Sequence, residues 1–237
     1  MKKPLETITF SNGDKYIGEL KDGYINGQGA LHLANNAFYK GGFKKGKFHG
    51  EGILNSPSIG EYVGQFKEGH ACGEGVMTYH IGHTYSGQWS NDRKHGEGIY
   101  TDNAGAVYEG QWRNDKKHGE GTLAFDDGNK YSGSWVEGKK QGKGSYSYPD
   151  GSSYVGEFFD GEYHGCGVYT YPGGGNYAGE YEFGKANGRG MLTKPGIGKY
   201  VGEFMNDKEH GKGIFTDIND KEYACEWRDG KKTEKEL

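Results

Sequence analysis

Large apolar residues return along this chain at a fixed interval of 23 residues. A tyrosine opens each interval, and a large apolar side chain stands four residues later. The residue midway between them is glycine in every interval except the tenth, which has Cys225. Residues at i, i+2 and i+4 share one face of a β-strand, so we expect the opposite face, which carries mostly polar or small residues, to be largely hydrated. The ten tyrosines are Tyr16, Tyr39, Tyr62, Tyr85, Tyr108, Tyr131, Tyr154, Tyr177, Tyr200 and Tyr223. This periodicity predicts ten copies of one repeat.

The second half of each repeat predicts a second strand. A polar turn leads into paired glycines, as in His95-Gly96-Glu97-Gly98, and an apolar residue such as Tyr100 follows. Short Asp-Gly or Asn-Gly turns, such as Asp127-Gly128, then return the chain to the next tyrosine. The predicted fold is all-β: an elongated, single-layer antiparallel sheet of about ten consecutive hairpins, curled into a trough, with each repeat advancing roughly 9–10 Å.

Three segments are predicted along the chain. Residues 1–14 form a capping strand, residues 15–230 form the repeat array, and residues 231–237 form a charged tail. Charged residues at the end of a sheet protect its exposed edge. The variant loops at 56–60 and 194–198 keep the 23-residue spacing, so we interpret them as local changes and not as domain boundaries.

Composition narrows the class of protein. The 46 glycines among 237 residues lack the every-third-residue spacing of collagen, so they indicate turns and close backbone contacts. With 19 tyrosines and few aliphatic residues, burial must come largely from aromatic rings. A net charge of −4 from nearly balanced acids and bases does not favour nucleic-acid binding.

The cysteines and the absence of apolar segments indicate a cytoplasmic protein. Cys72, Cys166 and Cys225 lie in distant repeats, so we expect three free thiols, as in a reducing compartment. The chain has no secretory signal and no run of about 18 apolar residues. We therefore expect neither secretion nor membrane spanning.

A unit that reads Tyr-x-Gly-x-aromatic and then His-Gly-x-Gly resembles the MORN (membrane occupation and recognition nexus) repeat. The clearest copies are 85–98, 108–121 and 200–213, and the likeness extends over about residues 11–230. The resemblance implies the hairpin array and carries over no catalytic domain. Members made only of repeats are similar to scaffolds in cytoskeletal assemblies and in radial-spoke heads of the axoneme, where a peptide or helix would lie along the aromatic trough.

No residue pattern predicts a catalytic, metal or cofactor site. His49, His95, His118, His164 and His210 repeat at one position, but adjacent copies would be about 9–10 Å apart, whereas zinc ligands lie about 2.0–2.3 Å from the metal. A structural turn histidine is the better interpretation. The Gly-x-Gly pairs do not open a helix, and no nucleophile signature is present. We predict that the protein is not an enzyme and has no cofactor.

Lysines cluster near the turn of many repeats. A basic ridge along one edge would suit anionic phospholipids, and the MORN resemblance includes proposed phosphoinositide binding. Interleaved glutamates dilute this charge, so a hydrated edge and a lipid site both stay open. The candidate lipid-binding residues are Lys44, Lys45, Lys94, Lys116, Lys117, Lys139 and Lys140.

Aromatic residues beyond the needs of the repeat are the candidate partner-binding site. They stand in the second strand of a repeat or two residues after its apolar position, where other repeats have serine, aspartate or lysine. Extra core packing and a binding patch explain them about equally well. These residues are Tyr79, Phe125, Tyr146, Tyr148, Tyr169 and Tyr171.

These observations predict a non-enzymatic scaffold that binds a protein segment along an aromatic trough. The expected setting is the cytoplasmic cytoskeleton, including a cilium or flagellum with a radial spoke-like assembly. A peripheral membrane tether acting through the lysine ridge is the alternative. End-to-end self-association through the terminal strands is a third hypothesis.

Overall fold

The computed structural model describes the backbone of residues 5–236 and the side chains of residues 5–233. These residues form 21 β-strands and no helix, which confirms the predicted all-β hairpin array. The chain divides into two compact units, residues 1–117 (unit 1) and residues 118–237 (unit 2), which are described separately.

Unit 1 is a run of antiparallel strands, each paired with the next along the chain from β1 to β10. Facing tyrosine and apolar positions set the register, as in Tyr16 opposite Leu31 and Tyr108 opposite Tyr100. The strands are β1 (Glu6–Thr9), β2 (Lys15–Lys21), β3 (Tyr24–His32), β4 (Phe38–Lys44), β5 (Lys47–Ser56), β6 (Gly60–Lys67), β7 (His70–Tyr79), β8 (Thr84–Ser90), β9 (Arg93–Thr101) and β10 (Val107–Arg113).

Unit 2 repeats this arrangement, with consecutive strands paired antiparallel from β11, which begins at the boundary between the units, to β21. The strands are β11 (Lys116–Ala124), β12 (Lys130–Val136), β13 (Lys139–Ser147), β14 (Ser153–Phe159), β15 (Glu162–Thr170), β16 (Asn176–Glu182), β17 (Lys185–Lys194), β18 (Gly198–Met205), β19 (Lys208–Asp217), β20 (Glu222–Arg228) and β21 (Lys231–Glu236).

A two-residue turn joins the two strands of each repeat. In the first repeat, Asp22 and Gly23 have φ values of 54° and 78°, the left-handed conformation that a tight hairpin turn needs. The pairing shifts register between Gly18 and Leu20, so this repeat combines a tight hairpin with one irregularity in the ladder. Together these features fix which residues of the hairpin share a face.

The repeating tyrosines before the tenth repeat lie flat over pairs of facing glycines. A Cβ atom at Gly18 would be 2.2 Å from the Tyr16 hydroxyl oxygen, and one at Gly29 would be 2.5 Å from the same ring. Only glycine leaves room for the ring at these positions. The Tyr16 hydroxyl donates a hydrogen bond to the Glu19 carbonyl at 2.8 Å, and the next eight repeating tyrosines donate to the corresponding carbonyl.

The large apolar residues bury these tyrosines from the side. The Trp112 ring meets Tyr108 edge to face at 5.1 Å and also meets Tyr85, of the preceding repeat, at 5.4 Å. Such pairs are worth about 0.5–1.5 kcal/mol beyond the area they bury. Because each ring covers its neighbours along one face, burial does not require the sheet to fold over. The predicted curl into a trough is therefore wrong, since the sheet of each unit is open and uncurled.

The face opposite the tyrosines is less polar than predicted. Ser132 and Glu109 conform to the expectation, but Val155, Val168 and Val201 expose aliphatic side chains at equivalent positions. Their β-branched side chains suit a strand and need no burial to favour it. The polar residues of a few repeats therefore do not predict how polar this face is in the other repeats.

The two ends of the array are paired strands. Residues Glu6–Thr9, within the predicted cap, pair with Lys15–Gly18 of the first repeat. At the other end, Lys231–Glu236 adds a strand to β20 where the sequence predicted a charged tail. Residues 1–4 and 237 of these predicted segments lie outside the described residues.

Candidate partner-binding surface

Five of the six predicted partner-binding residues form one continuous row of rings in unit 2. The centroid distances are 6.0 Å from Phe125 to Tyr146, 4.7 Å from Tyr146 to Tyr148, 6.2 Å from Tyr148 to Tyr169 and 5.0 Å from Tyr169 to Tyr171. Tyr171 is 43% exposed and the other four residues are half-buried. The aromatic row thus presents ring surface to solvent while its members support one another.

Strand pairing and turn hydrogen bonds position the aromatic row. Tyr146 faces Tyr131 across β12 and β13, and Tyr169 faces Tyr154 across β14 and β15. Tyr148 and Tyr171 follow these strands, where the Tyr148 amide donates to the Ser152 carbonyl at 3.0 Å and the equivalent bond at Tyr171 is 2.8 Å. The repeats that begin at Tyr131 and Tyr154 therefore each place two rings of the row on the same side of the sheet.

Tyr163 belongs to this surface although the sequence did not place it in the site. Its ring stacks on Tyr154 at 3.7 Å, and its hydroxyl lies 2.5 Å from the Tyr148 hydroxyl. Burial, reinforced by that hydrogen bond, strongly raises the pKa of Tyr163, so the group is neutral at physiological pH. Phe48 occupies the same repeat position as Tyr163 and stacks on Tyr39 in the same way. An aromatic residue at this position was therefore the sequence signal for the contact.

Tyr79, the sixth predicted residue, lies in unit 1 beside a lysine. The Lys94 ammonium nitrogen is 5.3 Å from the Tyr79 ring centroid, 4.6 Å from Tyr100 and 5.2 Å from Trp112. Burial lowers the pKa of Lys94 from its ordinary value. The face of the sheet that carries the repeating tyrosines, here called the aromatic face, therefore holds an ammonium group at this point of unit 1.

The seven predicted lipid-binding lysines do not form one ridge. Lys117 lies over Tyr108 at 5.0 Å and Lys140 over Tyr146 at 4.7 Å, so these two and Lys94 turn to the aromatic face. All three stand six residues before the apolar position of their strand, an even number that already indicates the same face. The exposed members of the set are Lys44, Lys45, Lys116 and Lys139.

The repeating histidines do not come together. Within residues 5–233, no three His, Cys, Asp or Glu side chains are arranged to hold a metal ion. The Nδ1 atoms of His49 and His118 are buried without a hydrogen-bond partner in that part of the chain. The described residues also contain no helix of the length and apolarity needed to cross a bilayer.

The fold and its aromatic face define a β-hairpin repeat protein. The sequence profile of the MORN repeat matches nine consecutive stretches, 16–37, 39–58, 62–84, 85–107, 108–130, 131–153, 154–176, 177–196 and 200–220. The chain belongs to the MORN repeat family. The tenth repeat, which begins at Tyr223 and has Cys225 in place of glycine, lies beyond these matches.

Solved structures that align with this chain share little of its sequence. The wild-type TCP10 domain of Danio rerio CPAP is 12% identical, with a TM-score of 0.46, and the match covers 94% of this chain and 100% of that domain. The Drosophila melanogaster SAS-4 (dCPAP) TCP domain, in complex with a proline-rich motif of Ana2 (dSTIL), is 11% identical, with a TM-score of 0.42 and coverage of 66% and 85%. Likeness at this level carries no functional inference. Comparison with curated protein sequences gives no match.

Proposed function

We propose that this protein is a non-enzymatic scaffold that holds a protein segment against the aromatic row of unit 2. The observation that carries the proposal is the unbroken series of ring contacts from Phe125 to Tyr171, which leaves part of each ring accessible. The ring faces that pack on one another stabilise the fold, and the ring surface that stays exposed is available to a partner.

Tyrosine is well suited to such a role. It offers a large apolar surface with only two rotatable side-chain bonds, and its hydroxyl can pair with a partner's backbone. The contacts of Tyr148 with Tyr146 and Tyr163 hold its ring before binding, which lowers the entropy lost on association. Aromatic residues of this kind commonly dominate the energy of an interface.

The proposed setting is a cytoskeletal assembly in the cytoplasm, including a cilium or flagellum with a radial spoke-like complex. Membership of the MORN family supports a scaffold, and the axonemal setting rests on the resemblance to MORN proteins of radial-spoke heads. Tagging the full chain in ciliated cells tests this setting. Exclusion from cilia and from cytoskeletal filaments would contradict it.

Substitutions in the aromatic row test the scaffold proposal. Tyr171→Ala and Phe125→Ala remove rings at its two ends, and Tyr24→Ala removes an exposed tyrosine elsewhere as a control. We expect cross-linking and mass spectrometry to recover the same partners with wild type and the control, and to lose at least one of them with both row variants. Unchanged recovery from correctly folded row variants would refute the proposed surface.

A peripheral membrane tether is the alternative function. The exposed positions of Lys44, Lys45, Lys116 and Lys139 favour it, although Lys94, Lys117 and Lys140 face the aromatic rings. Flotation with phosphoinositide liposomes would then depend on the exposed lysines and weaken as salt rises. Flotation lost on replacing these four by glutamine, with partner recovery unchanged, would favour the tether over the scaffold.

Self-association through the terminal strands is the third hypothesis. The strands β1 and β21 each have one described partner strand, and such an edge can pair with another chain. Light scattering at increasing protein concentration measures this directly, and a constant monomer mass would exclude it.

A further inference from the structure

A cavity of about 440 Å³ opens on the aromatic face at the end of unit 2. Its walls are the rings of Tyr200, Phe215, Tyr223 and Trp227, together with Leu192 and Ile197. Cavities that bind small groups are mostly apolar with a few placed polar atoms, and this one has Glu209 and Asp217 in its lining. It uses none of the residues of the aromatic row, so ligand binding at this cavity is independent of the proposed scaffold function.

The same position in unit 1 already holds an ammonium group. The Lys94 nitrogen lies 5.4 Å from the Tyr85 ring, 4.6 Å from Tyr100 and 5.2 Å from Trp112. Five repeats later the residues corresponding to these three rings are Tyr200, Phe215 and Trp227, and Lys94 itself is replaced by Glu209. The ring arrangement that accepts the chain's own ammonium at Lys94 therefore recurs in unit 2 with a carboxylate at the lysine position.

The carboxylate lies inside the cavity and its partner lies at the rim. Glu209 and Lys194 form an ion pair at 3.0 Å, but the Glu209 side chain is 12% exposed whereas that of Lys194 is 50% exposed. An exposed lysine in such a pair gains little from it, because water competes for the ammonium and the side chain loses freedom. An entering cation can therefore take the place of Lys194 beside Glu209.

Cys225 explains why this cavity is open. Glycine occupies its position in the nine preceding repeats, and there the tyrosine lies flat with its hydroxyl on a backbone carbonyl. The Cys225 side chain is 1% exposed, and the Tyr223 hydroxyl instead donates to the Asp217 carboxylate at 3.3 Å. The tyrosine of the tenth repeat thus stands as a wall of the cavity.

Trp227 departs from the repeat in the same way. The indole N–H groups of Trp89, Trp112 and Trp135 each donate to a glycine carbonyl, at 3.1, 3.2 and 3.1 Å. The indole nitrogen of Trp227 is buried without a partner among the described residues. Its N–H signal is therefore a separate reporter of this end of the molecule.

Four charged groups line the cavity. Asp217 accepts hydrogen bonds from the Lys221 and Asn219 amides and from Tyr223, and the Lys232 nitrogen lies 5.8 Å from the Tyr223 centroid. The two carboxylates balance the charges of Lys194 and Lys232 in the lining. The Tyr223 ring already has the Lys221 and Lys232 ammonium groups near it, at 5.1 and 5.8 Å, so the faces of Tyr200, Phe215 and Trp227 decide the preference, and ring faces attract cations. We propose that this cavity binds an alkylammonium group, either a lysine side chain of a protein or a free amine.

Titration of the full chain with n-butylammonium chloride tests this proposal, with 1-pentanol as the neutral control of similar size. We expect a saturable shift of the Trp227 indole N–H signal, with smaller changes at the other three tryptophans and no saturation with pentanol. A peptide with one lysine, compared with its norleucine analogue, separates the two sources: tighter binding than butylammonium indicates a protein lysine, and equal binding a free amine. Equal responses to butylammonium and pentanol would overturn the proposal.

Variants at Glu209 and Lys194 test the contacts. Glu209→Gln should weaken butylammonium binding about tenfold, since it removes the charge and keeps the shape. Glu209→Lys should abolish binding by supplying an internal ammonium as Lys94 does. Lys194→Met should strengthen binding about threefold by freeing Glu209, and Glu182→Gln, at an exposed site, should leave it unchanged. Undiminished binding in both folded Glu209 variants would overturn the assignment.

Discussion

The aromatic face near Tyr79 in unit 1 and the part of the aromatic row near Tyr163 in unit 2 are built from the same repeat but hold different groups. Near Tyr79, an ammonium group from Lys94 lies among the rings. In unit 2 the equivalent position is Lys140 in one repeat, over Tyr146 at 4.7 Å, and Tyr163 in the next, where the ring stacks on Tyr154 and the hydroxyl lies against that of Tyr148. One variable position in each repeat thus decides whether the face carries a cation or further ring surface.

The shared geometry beneath both regions is the tyrosine laid over two glycines. Tyr62 in unit 1 and Tyr154 in unit 2 are buried and donate to a backbone carbonyl three residues later. Since this arrangement is the same in both units, a change to it should lower stability by a similar amount in each. A change at the variable position should have different effects in the two units.

Alkaline pH should produce the largest effect, and in both units. Burial raises the pKa of Tyr39, Tyr154 and Tyr200 to about 12 from 10.0. In the unfolded chain these hydroxyls ionise near pH 10, so the stability contributed by the neutral buried rings is complete below pH 10 and is lost as the pH rises towards about 12. We expect circular dichroism and tyrosinate absorbance to report unfolding in this window. A fold retained with its tyrosines ionised would contradict this expectation.

Adding one methyl group under a tyrosine should have the next largest effect on the free energy of unfolding. A Cβ atom at Gly64 or at Gly156 would lie 2.5 Å from the Cα atom of the facing glycine. Gly64→Ala and Gly156→Ala should each lower the free energy of unfolding by about 2–3 kcal/mol, through overpacking and strain on the tyrosine hydrogen bond. Urea denaturation measures both variants.

Gly173→Ala is the matched control, because its Cβ would have no atom within 4 Å. It should change stability by less than about 0.5 kcal/mol. A cost at Gly64 or Gly156 no larger than that of the control would show that the ring does not need the glycine pair.

A smaller effect should separate the units. Tyr148→Phe removes the hydroxyl that lies 2.5 Å from that of Tyr163, and leaves the Tyr163 hydroxyl without this partner. The expected loss is about 1–2 kcal/mol. Tyr79→Phe, at the equivalent position of unit 1, removes a hydroxyl that has no such bond to another tyrosine among the described residues, and should cost less than about 0.5 kcal/mol. Equal losses in thermal unfolding would contradict the proposed difference.

The sequence predicted much of the fold because one period controls two levels of structure. The spacing of Tyr108, Gly110 and Trp112 determines both the strand face and the burial of the rings, so the hairpin array and the positions of the ring row followed from counting. The resemblance to MORN repeats rested on the same residues, and the family match confirms it.

Other features depended on contacts that periodicity does not encode. The sequence predicted a curled sheet, but the Tyr16 ring fills the space over Gly18 and Gly29, so the rings are covered without a curl. Cys225 is the one break in the glycine series, yet its effect on Tyr223 depends on where that ring lies. Side chains alternate between the two faces of a strand. If the predicted second strand had begun at Arg93, as β9 does, this alternation would have predicted Lys94 on the aromatic face.

The smallest predicted effect concerns the lysines on the aromatic face. Lys94→Met in unit 1 and Lys140→Met in unit 2 keep the length of an apolar side chain and remove the ammonium from rings at 4.6 and 4.7 Å. Each substitution loses the cation–ring attraction, which is about 0.5–2 kcal/mol. It also removes the cost of burying a charged ammonium, the same burial that lowers the pKa of both lysines, so the two changes oppose each other. We therefore expect each variant to change the free energy of unfolding by less than about 1 kcal/mol in urea denaturation. A loss well above that would mean that the fold needs the ammonium groups. The cavity at Glu209, which has no lysine at this repeat position, would then not be equivalent to the ammonium position at Lys94.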